Sequence, residues 1–167
     1  MPTTSKPDKF SDVREAVERL NGESLSADQL MKDITLLLNE KMLKYNWVGF
    51  YMLEPGANPP MLVLGHYRGA MTPHTRIPLN QGICGAAASS GKTVVVDDVT
   101  KDARYLACSL ETRSEIVVPV FRHGVVAGEL DIDSHFPAAF GAEDQEFLEH
   151  CAQLVGKRLE SDPGKTG

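Results

Sequence analysis

Three cysteines, Cys84, Cys108 and Cys151, are the strongest nucleophiles in the chain, and none stands in C-x-x-C spacing. An odd number without paired spacing argues against a secreted disulfide framework and against a zinc ribbon, and leaves free thiols for chemistry. Cys108 lies in Tyr105-Leu106-Ala107-Cys108-Ser109, a polar, irregular stretch where a thiol is more often accessible and so able to react. Cys151 contrasts with it, because its spacing with Phe147, Leu148, Leu154 and Val155 puts it on an apolar helix stripe. Cys84, in Gly82-Ile83-Cys84-Gly85, sits among small residues at a helix start, which fits tight packing and redox chemistry equally. The five His are scattered singly without i, i+4 spacing, so no metal is assigned.

The second group is acidic: Glu115, Glu129, Asp131 and Asp133 fall on two strand-like stretches around Arg122-His123-Gly124. A two-residue turn would set residue 116 against 131 and mix Ile with Asp on one face. A three-residue loop with Gly124 in the left-handed position is therefore predicted, pairing 121 with 125 and 115 with 131. One face then carries Ile116, Val118, Val120, Val126, Leu130 and Ile132. The other carries Glu115, Val117, Pro119, Ala127, Glu129, Asp131 and Asp133. Like charges that close destabilise a sheet unless a cation or a proton sits among them. Two readings stand: a solvated face where the acids repel weakly through water, or a partly covered pocket wall, as the interleaved Val117 and Ala127 favour.

The surrounding pattern supplies the scaffold. Helices are predicted from Ser11 to Asn21-Gly22, after the Ser26 cap through Leu30, Ile34, Leu38 and Met42, over Ala86–Ser90, and from Ala142 to Leu159. Strands are predicted over Trp47–Leu53, Met61–Tyr67, Thr93–Val96, Glu115–Phe121 and Val125–Asp133. Alternation puts Trp47, Gly49 and Tyr51 on one face, where Gly49 would leave room for a ligand. The order reads as α+β, with one domain over 11–160 and polar tails over 1–10 and 161–167.

Composition narrows the function classes. With 167 residues there is room for one large core, and 17 Lys plus Arg against 23 Asp plus Glu give a net charge of −6, which disfavours nucleic acid. No apolar run reaches membrane-span length and the start lacks a signal-like apolar core, so neither a membrane nor export is expected and the predicted address is cytoplasmic.

Four ordered motifs resemble a known family: Asn46-Trp47-Val48-Gly49-Phe50-Tyr51; Gly82-Ile83-Cys84-Gly85; Ala107-Cys108 with Arg113-Ser114-Glu115-Ile116-Val117-Val118-Pro119; and Gly128-Glu129-Leu130-Asp131-Ile132-Asp133-Ser134. Together, over roughly residues 25–160, they look like the free methionine-(R)-sulfoxide reductases, which are single GAF domains. The resemblance implies a six-stranded antiparallel sheet with helices on one face and a ligand pocket on the other. It implies Cys108 as nucleophile, Glu115, Asp131 and Asp133 as binders of the substrate ammonium and sulfoxide, Trp47 and Tyr51 around the methyl end, Ile116 beside them, and a homodimer. Cys84 matches a family cysteine, but the usual resolving cysteine ten residues earlier is replaced by His74.

In that chemistry the thiolate attacks sulfur while the sulfoxide oxygen takes a proton, leaving a cysteine sulfenic acid. Crowded carboxyls, Asp133 among them, are the expected proton source. A second thiol must then resolve the sulfenic acid, and Cys84 is the internal candidate, with no bound cofactor and with thioredoxin or another thiol as reductant. The rival expectation is a non-catalytic GAF module binding an amino-acid-like ligand.

Overall fold

The computed structural model describes residues 9–105 and 111–162. Among them run α1 (Lys9–Glu23), α2 (Ala27–Lys41), β1 (Trp47–Leu53), β2 (Met61–Arg68), β3 (Arg76–Pro78), α3 (Gly82–Ser90), β4 (Val94–Val96), β5 (Ser114–Arg122), β6 (Val125–Ser134) and α4 (Ala142–Ser161). The strands form one sheet in the order β3-β2-β1-β6-β5-β4, every pair antiparallel. The predicted α+β class and six-stranded sheet hold.

Apolar spacing decides the layers. Val13 and Val17 of α1, Leu30, Ile34 and Leu38 of α2, and Phe147, Leu148, Cys151 and Val155 of α4 are buried against Val48, Phe50, Ile116, Val118, Val120, Leu130 and Ile132. Burying that many branched and aromatic side chains fixes one face of β1, β5 and β6 inward, and alternation turns the other face away. That other face packs Trp47, Tyr51, Leu62, Ile77 and Val117 against Ile83, Cys84 and Ala87 of α3.

Three local expectations change. Helix α1 starts at Lys9 and runs through Asn21-Gly22 to Glu23. The three-residue β3 escaped prediction because it lies between turns and is too short to show alternation. The β5–β6 turn has two residues, His123 and Gly124, both with positive φ (50° and 77°), as a tight hairpin of right-twisted strands requires. A bulge then skips Ala127, so that Phe121 faces Val126 but Val120 faces Gly128. Glu115 therefore lies opposite Asp133, and Val117 opposite Asp131. The slip is two residues from the expected register, so the acids keep their face. Val126, before the bulge, turns to the opposite side and packs with the α3 cluster.

Candidate active site

Two central strands and one helix start build the site. Strand β6 lies between β1 and β5, so its acidic row is flanked on both sides: Asp133 by Trp47 and Glu115, Asp131 by Gly49 and Val117, Glu129 by Tyr51 and Pro119. All four acids are buried, with Glu115, Asp131 and Asp133 no more than 5% exposed and Glu129 sealed. The solvated-face reading therefore fails, and the acidic row is an interior wall.

Burial dominates the electrostatics. Loss of water pushes the Glu115 carboxyl well above its ordinary range, reinforced by the charges of Asp131 and Asp133 and by hydrogen bonds shared with both. Burial likewise raises Asp133, with the Asp131 charge adding to it, and raises Glu129. Asp131 is raised by burial against the opposing effect of hydrogen bonds from Glu115 and Cys84. Carboxyls packed this closely cannot all ionise, so the cluster keeps protons where isolated acids would have lost them.

Cys84 enters from above the sheet. Gln81 caps α3, Gly82 takes the left-handed conformation (φ 72°) at the first helical residue, and Cys84 in that first turn donates its thiol hydrogen to Asp131 Oδ2 at 3.4 Å. A helix N-terminus lowers a thiol's pKa, yet here burial and then the charges of Asp131, Glu129 and Glu115 push it well upward. Cys84 is thus a buried, protonated thiol. Cys151 is buried on α4 as its spacing predicted, its thiol pushed up to about 12 by burial.

Tyr51, His74, Ile77, Cys84, Glu115 and Asp131 surround a space of about 10 Å³, room for a single water. His74 thus stands at the same cavity as Cys84. Tyr51 donates its hydroxyl to the His74 carbonyl at 2.7 Å, which ties that loop to β1. Asp133 borders a second cavity of about 90 Å³, shared with Asn46, Trp47, Glu111, Thr112 and His135.

The aromatic pair differs from expectation in one respect. Trp47 stacks on Tyr51 and Tyr67, with ring centroids 6.2 and 5.5 Å away, and donates its indole N–H to the Ala70 carbonyl at 3.0 Å. A Cβ on Gly49 would lie 2.7 Å from Trp47 Cζ3 and 2.9 Å from Tyr67 Cβ. The room that Gly49 leaves is filled by the indole of Trp47, not kept for a ligand. The side chain of Ile116 packs in the helix-side core, away from the acids, so its predicted place beside the substrate is not where its side chain points. Cys108, with residues 106–110, lies outside the described residues.

Glu129 was legible on the acidic face but not singled out; its charge bears on the Cys84 thiol, which depends on how α3 docks. For metals, the one convergent group among the described residues is Cys84, Glu115 and Asp131.

Residues 26–159 match the GAF domain family. The chain belongs to that family. This GAF domain is 30% identical over 155 residues to the free methionine-R-sulfoxide reductase of Escherichia coli, covering 93% of this chain and 91% of that one. It is 40% identical over 113 residues to the Saccharomyces cerevisiae protein of the same name, covering 67% of this chain and 62% of the yeast protein. A solved structure of the Neisseria meningitidis free methionine-R-sulfoxide reductase in complex with its substrate superposes with a TM-score of 0.84 at 35% identity, covering 90% of this chain and 88% of that one. The likeness inferred from four short motifs thus extends over nearly the whole GAF domain.

Proposed function

We propose that this GAF domain reduces free L-methionine (R)-S-oxide to L-methionine. The observation that carries the reading is the sealed row of Glu115, Asp131 and Asp133, a proton-holding and cation-seeking surface, in a chain so similar to reductases of that substrate. An amino acid's ammonium supplies the positive charge this wall lacks, and the protons held among the acids supply what the sulfoxide oxygen needs.

Cys108 is the nucleophile in this reading. The stretch that carries it joins Tyr105, which packs against the Cys84 cluster, to Glu111 and Thr112, which border the Asp133 cavity. The Cys108 sulfur attacks the sulfoxide sulfur, the S–O bond breaks as oxygen passes to Cys108, and methionine leaves as the thioether. Cys84 then attacks the sulfenic acid, forming a disulfide and expelling water. Its thiol proton passes through Asp131, to which it is already hydrogen bonded, and on to the departing hydroxide. Thioredoxin or another thiol reduces the disulfide. His74 stands where the family resemblance implies a resolving cysteine, and in this reading that duty falls to Cys84. Trp47 and Tyr51 wall the site, a homodimer is the working form, and a reducing cytoplasm is its setting.

The test is turnover of racemic methionine sulfoxide with dithiothreitol, followed by chiral chromatography. Loss of the R isomer alone, abolished by Cys108→Ser, is expected. Binding of methionine without any product would instead support a non-catalytic sensor.

A further inference from the structure

We infer that the Cys84 cavity is also a site for one thiophilic divalent cation of the zinc class, held by the Cys84 thiolate and the carboxylates of Asp131 and Glu115. Its ligands come from three separate elements: the first turn of α3, β6 and β5. One ligand atom from each lies within 4.8 Å of the other two, and Cys84 Sγ and Asp131 Oδ2 are 3.4 Å apart. Bonds of about 2.3 Å to sulfur and about 2.0 Å to oxygen in tetrahedral geometry separate ligand atoms by roughly 3.3–3.8 Å, so the group closes on an ion with sub-ångström to ångström side-chain shifts.

An independent feature points to a missing positive partner. Asp131 is 4% exposed, and its second oxygen, Oδ1, is buried without any hydrogen-bond partner, as are both oxygens of Glu129 one alternation along the same strand. Orphaned carboxylate oxygens in an interior are costly unless a proton or a cation meets them, and a cation can replace the protons held here. Among the described residues the side chains around the space include neither Lys nor Arg, and its volume of about 10 Å³ suits a single ion or water.

Ligand chemistry selects the ion. A thiolate with two carboxylates is a poor cage for Ca²⁺ or Mg²⁺, which need six or more oxygens or retained waters, and a good one for Zn²⁺ and its surrogates Co²⁺ and Cd²⁺. Among the described residues these three are the ligands, and a fourth position stays open to water or another donor. Binding displaces the protons that the thiol and carboxyls hold, and fixes Cys84 as a metal thiolate. Resting on the function proposed above, the same ion also occupies ground needed by the substrate ammonium and silences Cys84 as a resolving thiol, so metal and amino acid exclude each other.

The experiment titrates reduced, chelator-treated full-length protein with Co²⁺ and records thiolate-to-cobalt charge-transfer absorption in the near ultraviolet. The expected result is a band saturating at one cobalt per chain, removed by stoichiometric Zn²⁺ and lost in Cys84→Ser. Asp131→Asn and Glu115→Gln, each shown to be folded by circular dichroism, weaken Co²⁺ binding by about tenfold or more. Absence of the band or its survival in Cys84→Ser overturns the site. Free methionine is then added to the cobalt-loaded protein. Bleaching of the band supports mutual exclusion, and an unchanged band at saturating methionine overturns it. Because the first titration uses no substrate, its outcome is independent of whether the chain is a reductase.

Discussion

The thiol of Cys84 donates a hydrogen bond to Asp131 Oδ2 at 3.4 Å, across the gap between the first turn of α3 and the centre of the sheet. The helix start would favour a thiolate; burial, and after it the charges of the acids beneath, favour the thiol, and they win. In the resting protein this cysteine is therefore a proton donor, not a nucleophile, and it gains reactivity only when its burial is relieved or something neutralises or displaces the acids.

Alkylation reports this directly. With iodoacetamide at neutral pH, Cys84 and Cys151 in the folded protein should label slower than in the denatured chain by about two orders of magnitude or more, read by peptide mass spectrometry. Asp131→Asn should speed Cys84 labelling by less than about tenfold, because burial outweighs any single neighbouring charge. A Cys84 that labels as fast as free cysteine would contradict the assignment.

Stability should fall as pH rises. Glu115, Glu129, Asp131 and Asp133 all have folded-state pKa values raised above those of the unfolded chain. Such groups contribute fully below the unfolded carboxylate range of about 4, and the contribution is lost as pH climbs through the folded values. Glu129→Gln removes a sealed, unpartnered acid and should raise Tm at pH 8 by several degrees, corresponding to about 1–3 kcal/mol, with little gain at pH 5. Thermal melts in chelator-containing buffer at the two pH values check the sign. A larger gain at pH 5 would refute it.

Removing the resolving thiol should separate the reductants. In Cys84→Ser, thioredoxin-driven turnover should fall by an order of magnitude or more, while dithiothreitol, able to attack a sulfenic acid directly, should lose much less. Trapping with dimedone after one turnover should label Cys108 more strongly in the variant than in the parent. Equal losses with both reductants would remove Cys84 from recycling.

Gly49→Ala is the most informative packing change. The added methyl would press into the Trp47 ring and Tyr67, costing about 1–3 kcal/mol in denaturant unfolding. Trp47 is the chain's single tryptophan, so its emission should shift as the ring is displaced toward the Asp133 cavity. Unaltered emission and stability would show that the indole does not rest on Gly49.

Much of this was legible in the residues, for identifiable reasons. Alternation along β5 and β6 separated Ile116, Val118, Leu130 and Ile132 from the acids even though the hairpin register was off by two residues, since an even slip leaves the side chains beyond the bulge on their own faces. The bulge at Ala127 left no sequence signal, so the partner of Glu115 was misplaced by two residues and Val126 by one face. Gly49 correctly marked a close approach, but spacing along one strand does not say whether a ligand or a neighbouring ring makes it. Cys84 stayed undecided between packing and chemistry because only the docking of α3 on the sheet reveals the acids beneath it. His74 and Cys84, ten residues apart across β3, meet at one cavity through the turn that leads into α3.

The central claim is that this site transfers the oxygen of one stereoisomer of a free amino acid to Cys108. A single-turnover experiment tests it most directly: protein reduced, freed of external thiol, and mixed with excess racemic methionine sulfoxide. Production of about one methionine per chain is predicted, drawn entirely from the R isomer and absent in Cys108→Ser. No methionine, consumption of the S isomer, or an equal burst from Cys108→Ser would contradict it.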